Sequence, residues 1–99
     1  MDENMVKYLL EVIYFMKKTV LVTGSSSGLG KSIIEKFASN GWNTIITYLT
    51  HEKDALEFNN YIINTYKVDS KCFKLDVTSE KSINELNSKV TYLDVLINN

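Results

Sequence analysis

The spacing of apolar residues changes period repeatedly along this chain, and each change marks an element. Met5, Leu9, Val12, Ile13 and Met16 recur at helical spacing, which predicts a short amphipathic helix over residues 4–16. Thr19, Val20, Leu21, Val22 and Thr23 then form an unbroken apolar, β-branched run, the pattern of a parallel strand buried on both faces. After a Gly/Ser stretch at 24–30, Leu29, Ile33, Ile34, Phe37 and Ala38 return to helical spacing, and Asn40 and Gly41 signal the helix end. Residues 44–48 read as a second strand. A second helix runs from Glu52 to Tyr66, with Ala55, Phe58, Ile62 and Tyr66 on one side. Alternation over 71–75 predicts a third strand. Ser79 can cap the next helix, whose stripe is Ile83, Leu86 and Val90 and whose first turn places Glu80 at the favourable end of the dipole. Residues 93–97 give a fourth strand.

Strands alternating with helices predict an α/β fold, a partial doubly wound Rossmann arrangement. Its four parallel strands take the order 3-2-1-4, with an extra helix in front. At 99 residues one small domain is the ceiling. We divide it into an appended segment, 1–16, and the amino-terminal part of a nucleotide-binding domain, 17–99. The appended segment begins with acidic residues, and Lys7 and Glu11 interrupt it, unlike a signal peptide. It is also too short to span a bilayer. It reads as an added helix without function, or as the product of a start codon upstream of Met16.

Composition narrows the partners. Eleven basic residues against twelve acidic ones leave a net charge of −1, so no basic field attracts nucleic acid and no charge block marks a tail. Every basic residue is Lys, so a bound phosphate must be met by ammonium groups, hydroxyls and backbone amides, never by an Arg fork. The single Cys72 cannot form an internal disulfide and fits a reducing, cytoplasmic setting.

The chemistry concentrates in Thr23, Gly24, Ser25, Ser26, Ser27, Gly28, Leu29 and Gly30, between a buried strand and an amphipathic helix. Such a loop aims free helix N–H groups at a phosphate, and the helix dipole favours its charge. Gly24 allows the sharp exit from the strand, Gly28 the close approach of a ligand, and Gly30 tight packing of the helix. Ser25, Ser26 and Ser27 add hydroxyl donors. The common dinucleotide pattern G-x-G-x-x-G fails because Ile33 stands at its third Gly. The triphosphate loop G-x-x-x-x-G-K-[ST] misses by one residue: Gly30, Lys31 and Ser32 supply its end, but Ser25 occupies its first Gly. A triphosphate-binding protein, or a non-catalytic nucleotide-binding module, therefore stand as alternatives.

The spacing Thr23-Gly24-x-x-x-Gly28-x-Gly30 resembles that of the short-chain dehydrogenase/reductase family. Asp76 and Val77 after the third strand resemble its adenine-binding step, and Asn98 and Asn99 the start of its Asn-Asn-Ala-Gly motif. Gly41 also fits, and the likeness covers residues 17–99. It implies an NAD(P)-dependent oxidoreductase that moves hydride between the cofactor and a small carbonyl or alcohol. It implies cofactor contacts at Gly24, Ser26, Ser27, Gly28, Leu29, Gly30, Tyr48, Leu49, Thr50, Asp76, Val77, Asn98 and Asn99. An acidic residue at the end of the second strand would repel a 2′-phosphate. Tyr48 stands there, which favours NADP(H) over NAD(H), with Thr50, His51 and Lys53 as further donors. Tyr48, Glu52 and Ala55 most resemble the 3-oxoacyl-acyl-carrier-protein reductases.

The family's catalytic Ser and Tyr-x-x-x-Lys follow its Asn-Asn-Ala-Gly motif, and no catalytic residue is transferred to this chain. Metal ligands are not expected either. The 99 residues alone are expected to be inactive and, as a fragment, to expose Val95, Leu96 and Ile97 on an apolar edge. Ala-Gly and then Tyr-x-x-x-Lys beyond Asn99 would complete an enzyme, a homo-oligomer by family habit that binds neither membrane nor nucleic acid.

Overall fold

The computed structural model describes residues 2–99, with the side chains of 13–16 outside the description. Its elements are α1 (Glu3–Met16), β1 (Thr19–Val22), α2 (Gly28–Ser39), β2 (Asn43–Tyr48), α3 (Glu52–Tyr66), β3 (Ser70–Lys74), α4 (Glu80–Lys89) and β4 (Val95–Ile97). The four strands form one sheet in the order β3-β2-β1-β4, with every neighbouring pair parallel. This is the expected α/β Rossmann order.

Burial explains why the strands read as they do. Val20, Leu21 and Val22 of β1 are nearly or wholly inaccessible, because helices cover both sheet faces. On one face Ile34 and Ala38 of α2 and Phe58 and Ile62 of α3 pack on Val20, Val22 and Ile46. On the other, Leu86 of α4 meets Leu21, Ile45 and Leu75. Each fully buried Ile contributes about 2 kcal/mol of transfer free energy, so the first cluster anchors α2 and α3.

Two expected stripe positions differ. Leu29 is 70% exposed, because the first turn of α2 projects past the carboxyl edge of the sheet. Ile83 is 39% exposed, since α4 seats itself through Leu86. In the edge strand β4, Val95 and Ile97 pack on the first cluster while Leu96 faces out. Among the described residues α1 packs on no other element, and Met5, Tyr8 and Leu10 are exposed. The Ile13 and Met16 positions of its stripe lie outside the described side chains. No helix among the described residues is long and apolar enough to cross a membrane.

Candidate functional site

Because all four strands are parallel, their carboxyl ends share one edge of the sheet. Thr23 follows β1 there, Tyr48 ends β2, Leu75 and Asp76 follow β3, and Asn98 follows β4. From this edge the connections out of β1 and β2 lead to α2 and α3 on one face of the sheet, and the connection out of β3 leads to α4 on the other.

The loop from Thr23 to Gly28 is fastened from both sides. From β2, Thr47 receives the Gly24 N–H on Oγ1 at 3.1 Å and gives its own N–H to the Ser25 hydroxyl at 3.0 Å. Its carbonyl accepts the Ser25 N–H at 3.1 Å, and its hydroxyl donates to the Val22 carbonyl at 3.3 Å. From beyond β4, the Asn99 N–H donates to the Thr23 hydroxyl at 2.9 Å, which itself donates to Asn98 Oδ1 at 3.1 Å. Asn99 Nδ2 reaches the Gly24 carbonyl at 3.4 Å.

These bonds correct one reading of the loop. Ser25 is fully buried and turned into the fold, so its hydroxyl serves Thr47 and not a ligand. Ser26 and Ser27 remain at the surface of the loop. Thr47 is the residue that sequence reasoning missed, while Thr23, already part of the motif, ties the loop to Asn98 and Asn99. Thr47→Val is expected to lower the melting temperature by roughly 5–15 °C, because it strips the partner from the Gly24 amide at a cost of about 1–2 kcal/mol. A melt that matches the parent would refute this fastening role.

The ligand face of the loop has the opposite character. Ser27 is the N-cap of α2 but makes no side-chain cap, and the amides of Ser26, Gly28 and Leu29 find no acceptor among the described residues. Gly24 and Gly28 both have φ of +58°. A Cβ built on Gly28 meets no atom within 4 Å, so the backbone there borders open space. Uncapped amides around a bare glycine are what a pyrophosphate requires.

Across the edge, the Asp76 carboxylate accepts from the Thr78 hydroxyl at 2.6 Å and the Thr78 N–H at 2.9 Å. Those bonds hold its pKa below the ordinary carboxylate value, so it stays an anion and an acceptor. Ser82 fixes the Asp76 backbone N–H at 2.9 Å, and Ser79 caps α4 by accepting from Ser82 N–H at 3.2 Å. Val77 is exposed beside it. At β2, burial and then the Glu52 carboxylate, which accepts its hydroxyl, raise the Tyr48 pKa. Leu49 and Thr50 are exposed after it, and Thr50 Oγ1 lies 2.8 Å from Nδ1 of His51. Cys72 carries a thiol pushed up to about 11 by burial and then by Glu52, so it offers no thiolate nucleophile at neutral pH. Among the described residues no cluster of His, Cys, Asp and Glu could hold a metal ion.

The model of the family described as short chain dehydrogenase matches residues 18–99. The chain belongs to the short-chain dehydrogenase family. Within it, a 3-oxoacyl-acyl-carrier-protein reductase, FabG, of Aquifex aeolicus is 40% identical over 86 residues, covering 83% of this chain and 34% of that protein. A sorbose reductase of Candida albicans is 32% identical over 95 residues, covering 92% and 33%. Among solved structures, the L-sorbose reductase of Gluconobacter frateurii, complexed with NADPH and L-sorbose, superposes with a TM-score of 0.77. It is 25% identical to this chain and is matched over 84% of this chain and 33% of its own. This short-chain dehydrogenase sequence thus spans about a third of the length of the relatives it matches. Lys31 lies over Phe58 of α3, with Nζ 4.8 Å from the ring centroid.

Proposed function

We propose that this chain supplies the cofactor-binding part of an NAD(P)-dependent oxidoreductase that transfers hydride between NADP(H) and a small carbonyl or alcohol. The observation that carries the reading is the loop itself: uncapped amides of α2 surround Gly28, whose missing side chain leaves the approach open. Family membership and relatives named as reductases support the reaction class.

The residues present fit a dinucleotide. Ser26, Ser27, Gly28 and Leu29 would receive the pyrophosphate on the free end of α2, with hydroxyl help from Ser26 and Ser27, while Gly24, its N–H held by Thr47, and Gly30, packed on the loop backbone, shape the turn. Asp76 and the Val77 amide would take the adenine edge, the carboxylate accepting from an amino group. Tyr48, Leu49 and Thr50 would border the adenosine ribose. Asn98 and Asn99 would hold the loop in shape through Thr23 and Gly24, beside the bound nucleotide. When bound, the nicotinamide supplies or accepts the hydride. Preference for NADP(H) is read from the sequence position of Tyr48, a neutral side chain where a carboxylate would repel the 2′-phosphate, with the Glu52 carboxylate beside its hydroxyl acting against that preference.

In this reading residues 17–99 form the nucleotide-binding unit and residues 1–16 an addition to it. It also takes the whole protein as a cytoplasmic homo-oligomer that works on a small molecule without nucleic acid or membrane. The test is calorimetric titration of the chain with NADP⁺, NAD⁺ and MgATP. Both dinucleotides should bind, NADP⁺ more tightly. Mg²⁺-dependent ATP binding that disappears in Ser32→Ala, with no dinucleotide bound, would overturn the proposal.

A further inference from the structure

A cavity of about 170 Å³ opens at the amino-terminal edge of the sheet, the end away from the phosphate loop. Its floor is the α4 face of β1, β2 and β3, where Thr19 pairs with Asn43, Ile45 with Lys71, and Phe73 follows two residues on. Its wall is the chain that leaves α4, from Lys89 to Tyr92.

One group on this floor is a donor that the fold does not use. Asn43 is only 5% exposed, and its Oδ1 accepts the Asp69 N–H at 3.0 Å. That bond fixes the orientation of the amide, so the two N–H groups of Nδ2 turn the other way. Among the described residues no hydrogen bond uses Nδ2, and no side-chain nitrogen or oxygen is sealed away without a partner. Nδ2 therefore opens on the cavity that Asn43 lines.

The charges around it favour an anion. Lys17, Lys71 and Lys89 line the cavity, and no carboxylate of the described residues stands within ion-pair distance of them. Lys89 lies over the Phe73 ring, with Nζ 5.8 Å from the centroid. Against an anion stand Asp69, the one carboxylate in the lining, and the carboxyl end of α4, equivalent to roughly half a negative charge. Asp94 lies outside the lining and already accepts the Thr19 N–H at 2.7 Å and the Tyr92 hydroxyl at 2.9 Å. Three ammonium groups outweigh these. Ile45, Phe73 and Val90 add an apolar surface. A bare phosphate gains nothing from that surface, whereas a carboxylate on a hydrocarbon body uses both. Cavities of roughly 150 Å³ hold a benzene ring, which sets the size of the body.

We propose that this cavity binds a small carboxylic acid anion with an apolar body, about the size of benzoate. The carboxylate accepts from Asn43 Nδ2 and from the ammonium groups at the rim, in charge-assisted bonds. The body lies against Ile45, Phe73 and Val90. Because Lys17 joins α1 to β1 and Lys89 ends α4, a bound acid fastens both to the sheet.

The experiment follows the isotope-labelled 99-residue chain by NMR at low salt, with benzoate, benzamide and inorganic phosphate as ligands. Benzoate should move the Asn43 side-chain amide signals and saturate with a Kd on the order of 1 mM, while the Gly28 amide stays in place. Benzamide and phosphate should each bind at least about fivefold more weakly. Lys71→Gln and Lys89→Gln should each weaken benzoate by about two- to threefold, and high salt should weaken it in the parent. Asn43→Asp keeps an acceptor for the Asp69 N–H but loses the donor, and should abolish binding. Where that variant does not fold, the two lysine variants, both at exposed positions, decide the question. At ten times Kd, benzoate should raise the parent's melting temperature by roughly 5–10 °C. Asn43 signals that do not move would overturn the proposal. So would benzamide or phosphate binding as tightly as benzoate, or parent-like affinity in both lysine variants.

Discussion

Gly28→Val is expected to weaken dinucleotide binding by at least about 100-fold while the sheet and α2 stay folded. The loss follows from access. Amide bonds to a charged oxygen contribute about 1.5–3 kcal/mol each, so screening two of them removes more than the roughly 2.7 kcal/mol that 100-fold represents. The valine side chain would enter the open space beside the uncapped amides of α2. The cost to folding is smaller because no heavy atom lies within 4 Å of the added Cβ. What remains is the strain of a β-branched residue at a φ of +58°, about 1–2 kcal/mol, or a melting point lower by roughly 5–15 °C. Gly28→Ala carries similar strain with less bulk and should bind measurably better than the valine variant. Circular dichroism and titration separate the two effects. Parent-like NADP⁺ affinity in Gly28→Val would remove the loop from the site.

What could be read from the sequence here is local, and what could not is long-range. The unbroken run Val20, Leu21, Val22 implied burial on both faces because a parallel strand between helices has no solvent side. Gly41, at φ +85° just after α2, follows from the need for a left-handed residue at a helix end. Ser79 was legible as a cap for a similar reason. Ser25 and Thr47 were not. A serine in a Gly/Ser loop looks like its neighbours until the partner strand arrives, and Thr47 pairs with residues more than twenty positions away. In sequence Thr47 is simply another β-branched strand residue. The approach of α2 to α3 was hidden for the same reason: the two helices meet only when Ile34 and Phe58 are buried on the sheet. Leu29 shows the converse. Its spacing matched the apolar stripe, but the register of a helix does not reveal where the sheet beneath it ends.

Gly30 separates the two roles a glycine can play in this loop, and its expected result runs against helix propensity. Glycine to alanine inside a helix ordinarily stabilises by about 0.5–1 kcal/mol. At Gly30 the added Cβ would stand 2.7 Å from the Gly24 carbonyl oxygen and 2.8 Å from Ser25 Cα, both backbone, and 2.7 Å from Asn99 Nδ2. The Asn99 side chain can turn aside. The other two atoms cannot, because the Ser25 N–H and hydroxyl and the Gly24 N–H are tied to Thr47 of β2. Relief requires α2 to rise from the sheet, which opens the packing of Ile34 and Ala38. Overpacking of this kind costs about 1–3 kcal/mol, and lost contacts beneath α2 add to it, so the clash outweighs the propensity gain. Gly30→Ala should therefore melt roughly 5–15 °C below the parent, a large loss for a domain this small. Adding Asn99→Ala should recover little, since it removes one contact of three. A melting temperature equal to or above the parent's would show that loop and helix are not packed as tightly as these distances require.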